Sequence, residues 1–535
     1  MMTKSCVLGL LLVVAGPAGA TPPAPASMVS AVARSGKRSP PPPVKPADGT
    51  SPRGYVCIHP SRACTTGQPL LPEDLALGRI AWKYFENNYQ ATTGLVNAAD
   101  KYESTTMWDT ASVIAGTVAA RDLGIIDEKK FDDRITAMLA TLVQLELFHG
   151  EAPNKAYNTR TGKMSNYGNK PSVEGIGYSA LDLARLISWM DILAGFFPKH
   201  AMAAQAVIRR WTYCRMIQDG QMYGAYVDGA KKAVMAQEGR LGYEQYAGKM
   251  FARLGFEQRV AATYKNEYAH AIDIYGVPIA FDIRDPRKLG AFNYVVTESY
   301  ALDAMEFGLD EENAALVRNV YEVQKRRWQR TGHVTAVSED NLDRAPYFVY
   351  NTIFAAGSPW NAITDTGVDQ SRYRTISTKA AFSLATLFPE DPYSAVLMDK
   401  VASAYDPERG WYSGIYESGI GYNKAITANT NGIILEALLY KSHGPLHPAY
   451  ERCNRSLGLE AADEDPAPGR QRCYPPAGST IGRVAQPTPS RIGAECVNPG
   501  APPVRPLAAL HGARRDRDIH VAKSAQGRRA PGRSP

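Results

Sequence analysis

Acidic residues beside aromatic and small ones recur at six places along this 535-residue sequence. Asp100 precedes Met107-Trp108-Asp109-Thr110, where an acid follows an indole as a helix opens. Glu174 precedes Gly175-Ile176-Gly177-Tyr178, a stretch whose backbone can approach a ligand closely. Glu238 and Glu244 flank Tyr243, and Glu298 begins another helical segment. Asp340 to Asn351 leads into Trp360-Asn361 and Asp365, and Trp411 to Glu417 leads into a segment carrying Asn431 and Glu436. A protonated carboxyl and an ionised one flanking a bond can hydrolyse a glycoside, while rings stack on sugar C–H faces and amides pair with hydroxyls. Glu174 is expected as general acid and Asp109 as base, with Glu298, Asp365 and Glu417 as substitutes. Trp108, Asp100, Tyr178, Glu238, Trp360, Asn361, Trp411, Tyr416 and Asn431 are expected to line subsites. Each acid at a helix start also has a capping reading. Asp182 and Arg185, three apart, read as an intrahelical pair, and Glu436 reads as structural.

Other chemistries find little support. A Gly-x-Ser-x-Gly elbow, a P-loop and a dinucleotide fingerprint are absent from the sequence, and His149, His270 and His333 are scattered. Without C-x-x-C or clustered Cys/His spacing, neither metal nor cofactor is expected. The net charge of +7 resides in the ends: six basic residues against one acidic before Gly54, and seven against two after His511. The mildly acidic body between them argues against a nucleic-acid partner.

Lys4, a short apolar run and Gly16-Pro17-Ala18-Gly19-Ala20 predict a signal peptide over 1–20, hence a periplasmic or secreted protein without membrane insertion. Residues 21–53 read as a Pro-rich spacer and 454–535 as a Pro/Arg-rich disordered tail, leaving 54–453 as the ordered body. Six cysteines remain after the signal. Cys57–Cys64 and Cys453–Cys473 are expected to pair, with Cys214 buried and free in a helix.

Apolar spacing near 3.6 residues recurs through the body, first at Leu75, Ile80, Ala81, Tyr84 and Phe85, then at Val113, Ile114, Val118 and Leu123. Further helices are predicted over Phe131–Phe148, Ser179–Gly195, Ala201–Gln218, Tyr243–Leu254, Glu257–His270, Tyr300–Phe307, Glu311–Arg327, Thr378–Leu387, Pro392–Ala404 and Asn429–Lys441. Twelve helices joined by uneven loops predict an all-α fold, an (α/α)6 toroid with long loops and short hairpins at one end.

Across Met107–Ser112, Ser179–Arg185, Glu339–Asn351, Trp360–Gly367, Gly410–Glu417 and Asn429–Leu438 the chain resembles the bacterial domain-of-unknown-function family 3131. That family is similar to glycoamylase-like toroids, including endo-β-1,2-glucanases, and is associated with exopolysaccharide or surface-glycan systems. The resemblance implies catalytic carboxylates after the first helix, at Asp100 or Asp109, and before a Gly-containing helix start, at Glu174. It also implies an inverting, endo-acting hydrolase of an exopolysaccharide or glucan. Two other readings use the same groove: a polysaccharide-binding factor working with polysaccharide-export machinery, and a polysaccharide lyase abstracting a proton with Tyr or His.

Overall fold

The computed structural model describes residues 70–449, apart from 257 and 287–291. The expected signal peptide, spacer and tail, and both expected disulfide pairs, lie outside the described residues.

Eleven helices are described: α1 (Pro72–Asn87), α2 (Met107–Asp122), α3 (Glu128–Leu142), α4 (Ala180–Phe196), α5 (Pro198–Ile208), α6 (Tyr243–Arg253), α7 (Thr297–Leu302), α8 (Asn313–Thr331), α9 (Thr378–Leu387), α10 (Pro392–Val401) and α11 (Ala428–His443). Their starts follow from local chemistry. The hydroxyls of Thr106, Ser179 and Thr427 accept the first-turn amides of α2, α4 and α11, and proline opens α1, α5 and α10.

Six of these helices pack in a closed cycle: α2 on α4, α4 on α6, α6 on α7, α7 on α9, α9 on α11, and α11 back on α2. The cycle is tight where Gly432 of α11 meets Ser112 of α2, since a Cβ there would lie 2.5 Å from the Ser112 carbonyl oxygen. Outside it, α1 covers α2 and α11, α3 covers α2, α5 covers α4, α8 covers α7 and α10 covers α9. The inner helices α2, α4 and α11 are buried almost all round, which explains their continuous apolar and small-residue sequences.

Beside the helices, eight small antiparallel sheets occur among the described residues, more strand than the all-α expectation with short hairpins allowed. Three expectations are corrected. Among the described residues of the expected helix Glu257–His270, 258–270, no helix forms. Asx and Thr turns at Thr263 and Asn266 break the chain, and the β-branched and aromatic residues of 269–282 pair as a hairpin that packs on α8. The helix predicted to reach Gln218 stops at Ile208, and Cys214 lies in a 3-10 turn, disulfide-bonded rather than free.

The sheets lead into the inner helices at one end. Ser104–Thr106 runs straight into α2 and Thr375–Ser377 into α9, while Tyr178, just ahead of α4, exchanges backbone hydrogen bonds with Ala225 of the 221–227 strand. Helix N-termini, each with the positive end of its dipole, are thereby gathered where the loops are longest.

Candidate active site

Each inner helix carries a chemically useful residue in its first turn: Trp108 and Asp109 on α2, Asp182 on α4, Tyr243 on α6, Glu298 on α7, Lys379 on α9 and Asn429 on α11. Because the six helices close a cycle, these residues meet. The Trp108 indole N–H donates to Glu298 Oε1 at 3.0 Å, and Asn429 Nδ2 donates to the same oxygen at 2.9 Å. Lys379 donates to Glu298 Oε2, which also lies 3.4 Å from Ser338 Oγ. The next residue, Glu339, opens the strand 339–341 and lies beside the Tyr243 hydroxyl.

Asp109, Asp182, Glu238 and Glu339 are half-buried, and burial is in each case the largest force raising the carboxyl, as on the floor of a pit. Burial, with the charge of Glu298 added, pushes Asp109 up to about 6, against the pull of the Thr106 hydroxyl, Lys379 and Arg185. Burial and then Glu238 bring Asp182 to about 7. Burial and the charge of Glu298 bring Glu339 to about 8, against Lys379. Asp340, 2% exposed, stands behind the wall with Oδ1 accepting the Ser377 hydroxyl at 2.8 Å. Burial would also raise Glu298, but the Lys379 ammonium outweighs it and holds this carboxyl below its ordinary range. A water-accessible hollow therefore holds acids of staggered affinity for protons, as acid–base catalysis requires.

Aromatic side chains build the walls. Trp108 packs edge-on against Tyr243 at 5.7 Å and Tyr246 at 6.0 Å, with the Arg185 guanidinium 5.0 Å from its ring centre. Tyr294 and Tyr350 stack at 3.5 Å with planes 7° apart, and the Tyr294 hydroxyl donates to the Asp365 carbonyl at 3.3 Å. Tyr167 is 64% exposed. The charges of Asp182 and Glu238 on one side and of Asp365 on the other lie within reach of its hydroxyl.

The structure brings Trp108, Asp109, Glu238 and Glu298 of the expected residues to this pit. Asp365 stands exposed on the rim. Glu174 is exposed on the loop before α4, five residues ahead of the Ser179 cap. Glu417 is held by Arg327 at 2.6 and 2.8 Å and by Arg374 at 3.1 Å, a structural anchor below its ordinary pKa because the two guanidinium groups outweigh burial. Asp100 is occupied by Arg409 and Asn88. Trp411, Tyr416 and Tyr178 are packed away inside the protein, and Asn431 ties down the Trp411 backbone. Trp360 stacks on Tyr275 in a separate core, and Asn361 braces Thr352 and Ala355.

The expected Asp182–Arg185 pair is also absent. Asp182 accepts from the Ser179 hydroxyl, while Arg185 pairs with Glu306 and Glu436, both at 3.0 Å. Sequence reasoning missed Glu339, Lys379 and Tyr243. Lys379 and Tyr243 share a place in the first turn of an inner helix, which is meaningful only once the cycle is known, whereas Glu339 opens a strand. Among the described residues no group of three or more His, Cys, Asp or Glu is arranged to hold a metal, and no helix is long and apolar enough to cross a membrane.

Solved structures of similar fold include a "putative glucoamylase" from Bacteroides caccae (15% identity, TM-score 0.52, 72% of this chain and 98% of that one). An endo-β-1,2-glucanase from Chitinophaga pinensis, solved with sophorotriose and glucose, is 12% identical with TM-score 0.53 over 72% and 98%. An endo-β-1,2-glucanase from Talaromyces funiculosus, solved with sophorose, is 12% identical with TM-score 0.50 over 72% and 86%. At these identities the likeness shows a shared fold. A sequence search of curated proteins finds no match. The profile of the protein family of unknown function DUF3131 matches residues 76–444, most of the sequence, and the chain belongs to that family.

Proposed function

We propose that this chain is a secreted glycoside hydrolase, an (α/α)6 toroid that cleaves within a bacterial exopolysaccharide or glucan. Glu339 serves as general acid and Asp109 as general base. The observation that carries this reading is the convergence of half-buried carboxyls with staggered proton affinities on one aromatic-walled pit. With values of about 6 and about 8, roughly nine-tenths of Asp109 is ionised and roughly nine-tenths of Glu339 protonated at pH 7. Glu339 gives its proton to the departing glycosidic oxygen, and Asp109 takes one from the water that attacks the anomeric carbon, so the product anomer is inverted. Asp182 and Glu238 offer acceptors to sugar hydroxyls along one wall, while Tyr294, Tyr350 and Tyr167 offer ring faces opposite. The relatives' fold supports the reaction class, and their glucan ligands make β-1,2-glucan the first substrate to try.

Incubation with a panel of glucans and amino-sugar polymers, followed by reducing-end assay and proton NMR of the first-formed anomer, tests the proposal. Wild type should release new ends with inverted configuration, and Glu339→Gln and Asp109→Asn should each lose about 10²–10⁴-fold in kcat while staying folded. Binding without cleavage across the panel would overturn it in favour of a polysaccharide-binding factor. Product ends absorbing in the ultraviolet would indicate a lyase.

A further inference from the structure

Glu298 and Lys379 stand at the centre of the floor, and both are committed. Glu298 Oε1 takes the Trp108 and Asn429 donors, and Oε2 takes Lys379 and faces Ser338. Lys379 Nζ lies 3.4 Å from Asn429 Oδ1 as well. The two residues are 3% and 4% exposed. The space beneath them, lined by Leu302, Ser338, Ala380, Ser383 and Ile433, has no room for a water, so nothing screens the pair from below. Asp109 of α2, Arg185 of α4, and Glu339 and Asp340 of the 339–341 strand are the charged or titratable groups facing it, with the Tyr243 hydroxyl of α6. From α11 it meets only the neutral Asn429.

We propose that Glu298 and Lys379 form a fixed dipole that sets the charge on Asp109 and Glu339 and holds Trp108 and Asn429 on the floor. Glu298 is thus a positioning residue that takes no part in proton transfer. The inference rests on the assignment of Asp109 and Glu339 as the reacting pair. A carboxylate with both oxygens occupied and almost no exposure cannot reach a glycosidic oxygen, yet at such range its charge and that of the ammonium act strongly on neighbours. Removing the negative charge of Glu298 leaves the ammonium uncompensated, so both reacting carboxyls ionise more readily. Removing Lys379 alone is less telling, because Glu298 can take up a proton and restore the local charge.

Glu298→Gln in the full chain is the test. Both limbs of the kcat/KM–pH profile should move to lower pH by about one unit, a tenfold change in proton affinity, with kcat at the new optimum within about tenfold of wild type. The double variant E298Q/K379M should return the limbs toward their original positions. A loss beyond about 10³-fold at every pH would make Glu298 a reacting group, and a lower rate with unmoved limbs would make it merely structural. Either overturns the proposal. Carbon-13 carboxyl titrations of wild type and E298Q without substrate, assigned with D109N and E339Q, separate the two claims. Acidward shifts in a protein that cleaves no glycan keep the dipole and remove the hydrolase, whereas unmoved titrations in an active enzyme remove the dipole.

Discussion

Arg185 is the cation on which the interior of the helix cycle depends, and replacing it with Met should be among the most destabilising single changes available. Its guanidinium, wholly buried, donates to Glu306 Oε1 and Glu436 Oε2 at 3.0 Å each and lies 3.5 Å from Ser112 Oγ. Breaking a buried pair by removing one partner leaves an uncompensated charge and typically costs about 3–5 kcal/mol, a large share of the roughly 5–15 kcal/mol that holds a protein folded. Glu306 keeps donors from Ser188, Trp189 and Tyr246. Glu436 has no comparable support: burial, opposed by Arg185 and reinforced by the charge of Glu306, pushes its carboxyl well above the ordinary range, which favours its neutral form. Glu436→Gln should therefore stay within about 1 kcal/mol of wild type near pH 4, where the carboxyl is protonated in both the folded and the unfolded chain and the isosteric amide replaces a neutral acid. The sign with pH follows from linkage. A carboxyl whose pKa is raised on folding contributes stability that is complete below its unfolded value and fades as pH rises toward the folded one. Wild type should lose that contribution as pH climbs from about 5 and E436Q should not, so E436Q gains on wild type at alkaline pH. Urea unfolding followed by circular dichroism at several pH values measures this. If E436Q destabilises as much as R185M, or if its difference from wild type is flat with pH, Glu436 is ionised and the reasoning fails.

The reacting pair predicts a bell-shaped kcat/KM profile with limbs near the values of Asp109 and Glu339, about 6 and about 8: activity falls below the first as the base is protonated and above the second as the acid is lost. D109N should abolish the acid limb and E339Q the alkaline one in whatever activity remains. Glu174→Gln, altering an exposed loop carboxylate, should leave kcat/KM within about twofold of wild type, and a loss beyond about 10²-fold in a folded protein would return Glu174 to the reaction. Glu417→Gln should cost about 1.5–3 kcal/mol at pH 7 through its bonds to Arg327 and Arg374. Because this carboxyl is depressed on folding, the difference should shrink as pH falls through the acidic range, which thermal unfolding at pH 7 and at about pH 3 would show.

The sequence's 3.6-residue periodicity located most helices because inner and outer helices both bury long apolar stripes, and the uneven spacing of the loops pointed to one functional end. It failed at the helix expected over Glu257–His270, where Val, Ala and Tyr are compatible with either period and the deciding signal was the turn chemistry of Thr263 and Asn266. The pit was half legible. Asp109 and Trp108 stand in the first turn of α2, so the local motif and the three-dimensional position coincide. Glu174 has an equally suggestive motif, but it lies five residues ahead of the Ser179 cap, and the intervening Gly175 and Gly177 carry the chain away along the 221–227 strand, where Gly177 is pressed against the Ala225 carbonyl. What reaches the floor from that side is Asp182, one turn inside α4, whose spacing from Arg185 suggested a mutual pair. On one helix the two diverge, because Asp182 is at the open rim of the cycle and Arg185 a turn deeper, where Glu306 and Glu436 await it. On α2 and α4 the first-turn acids Asp109 and Asp182 are half-buried and raised toward neutrality, whereas Glu298 in the first turn of α7 is dry and bonded to Lys379, so contacts made across the cycle decide which acid is free to react. No linear spacing carries that distinction, since it depends on six helices from distant parts of the chain packing in one closed cycle.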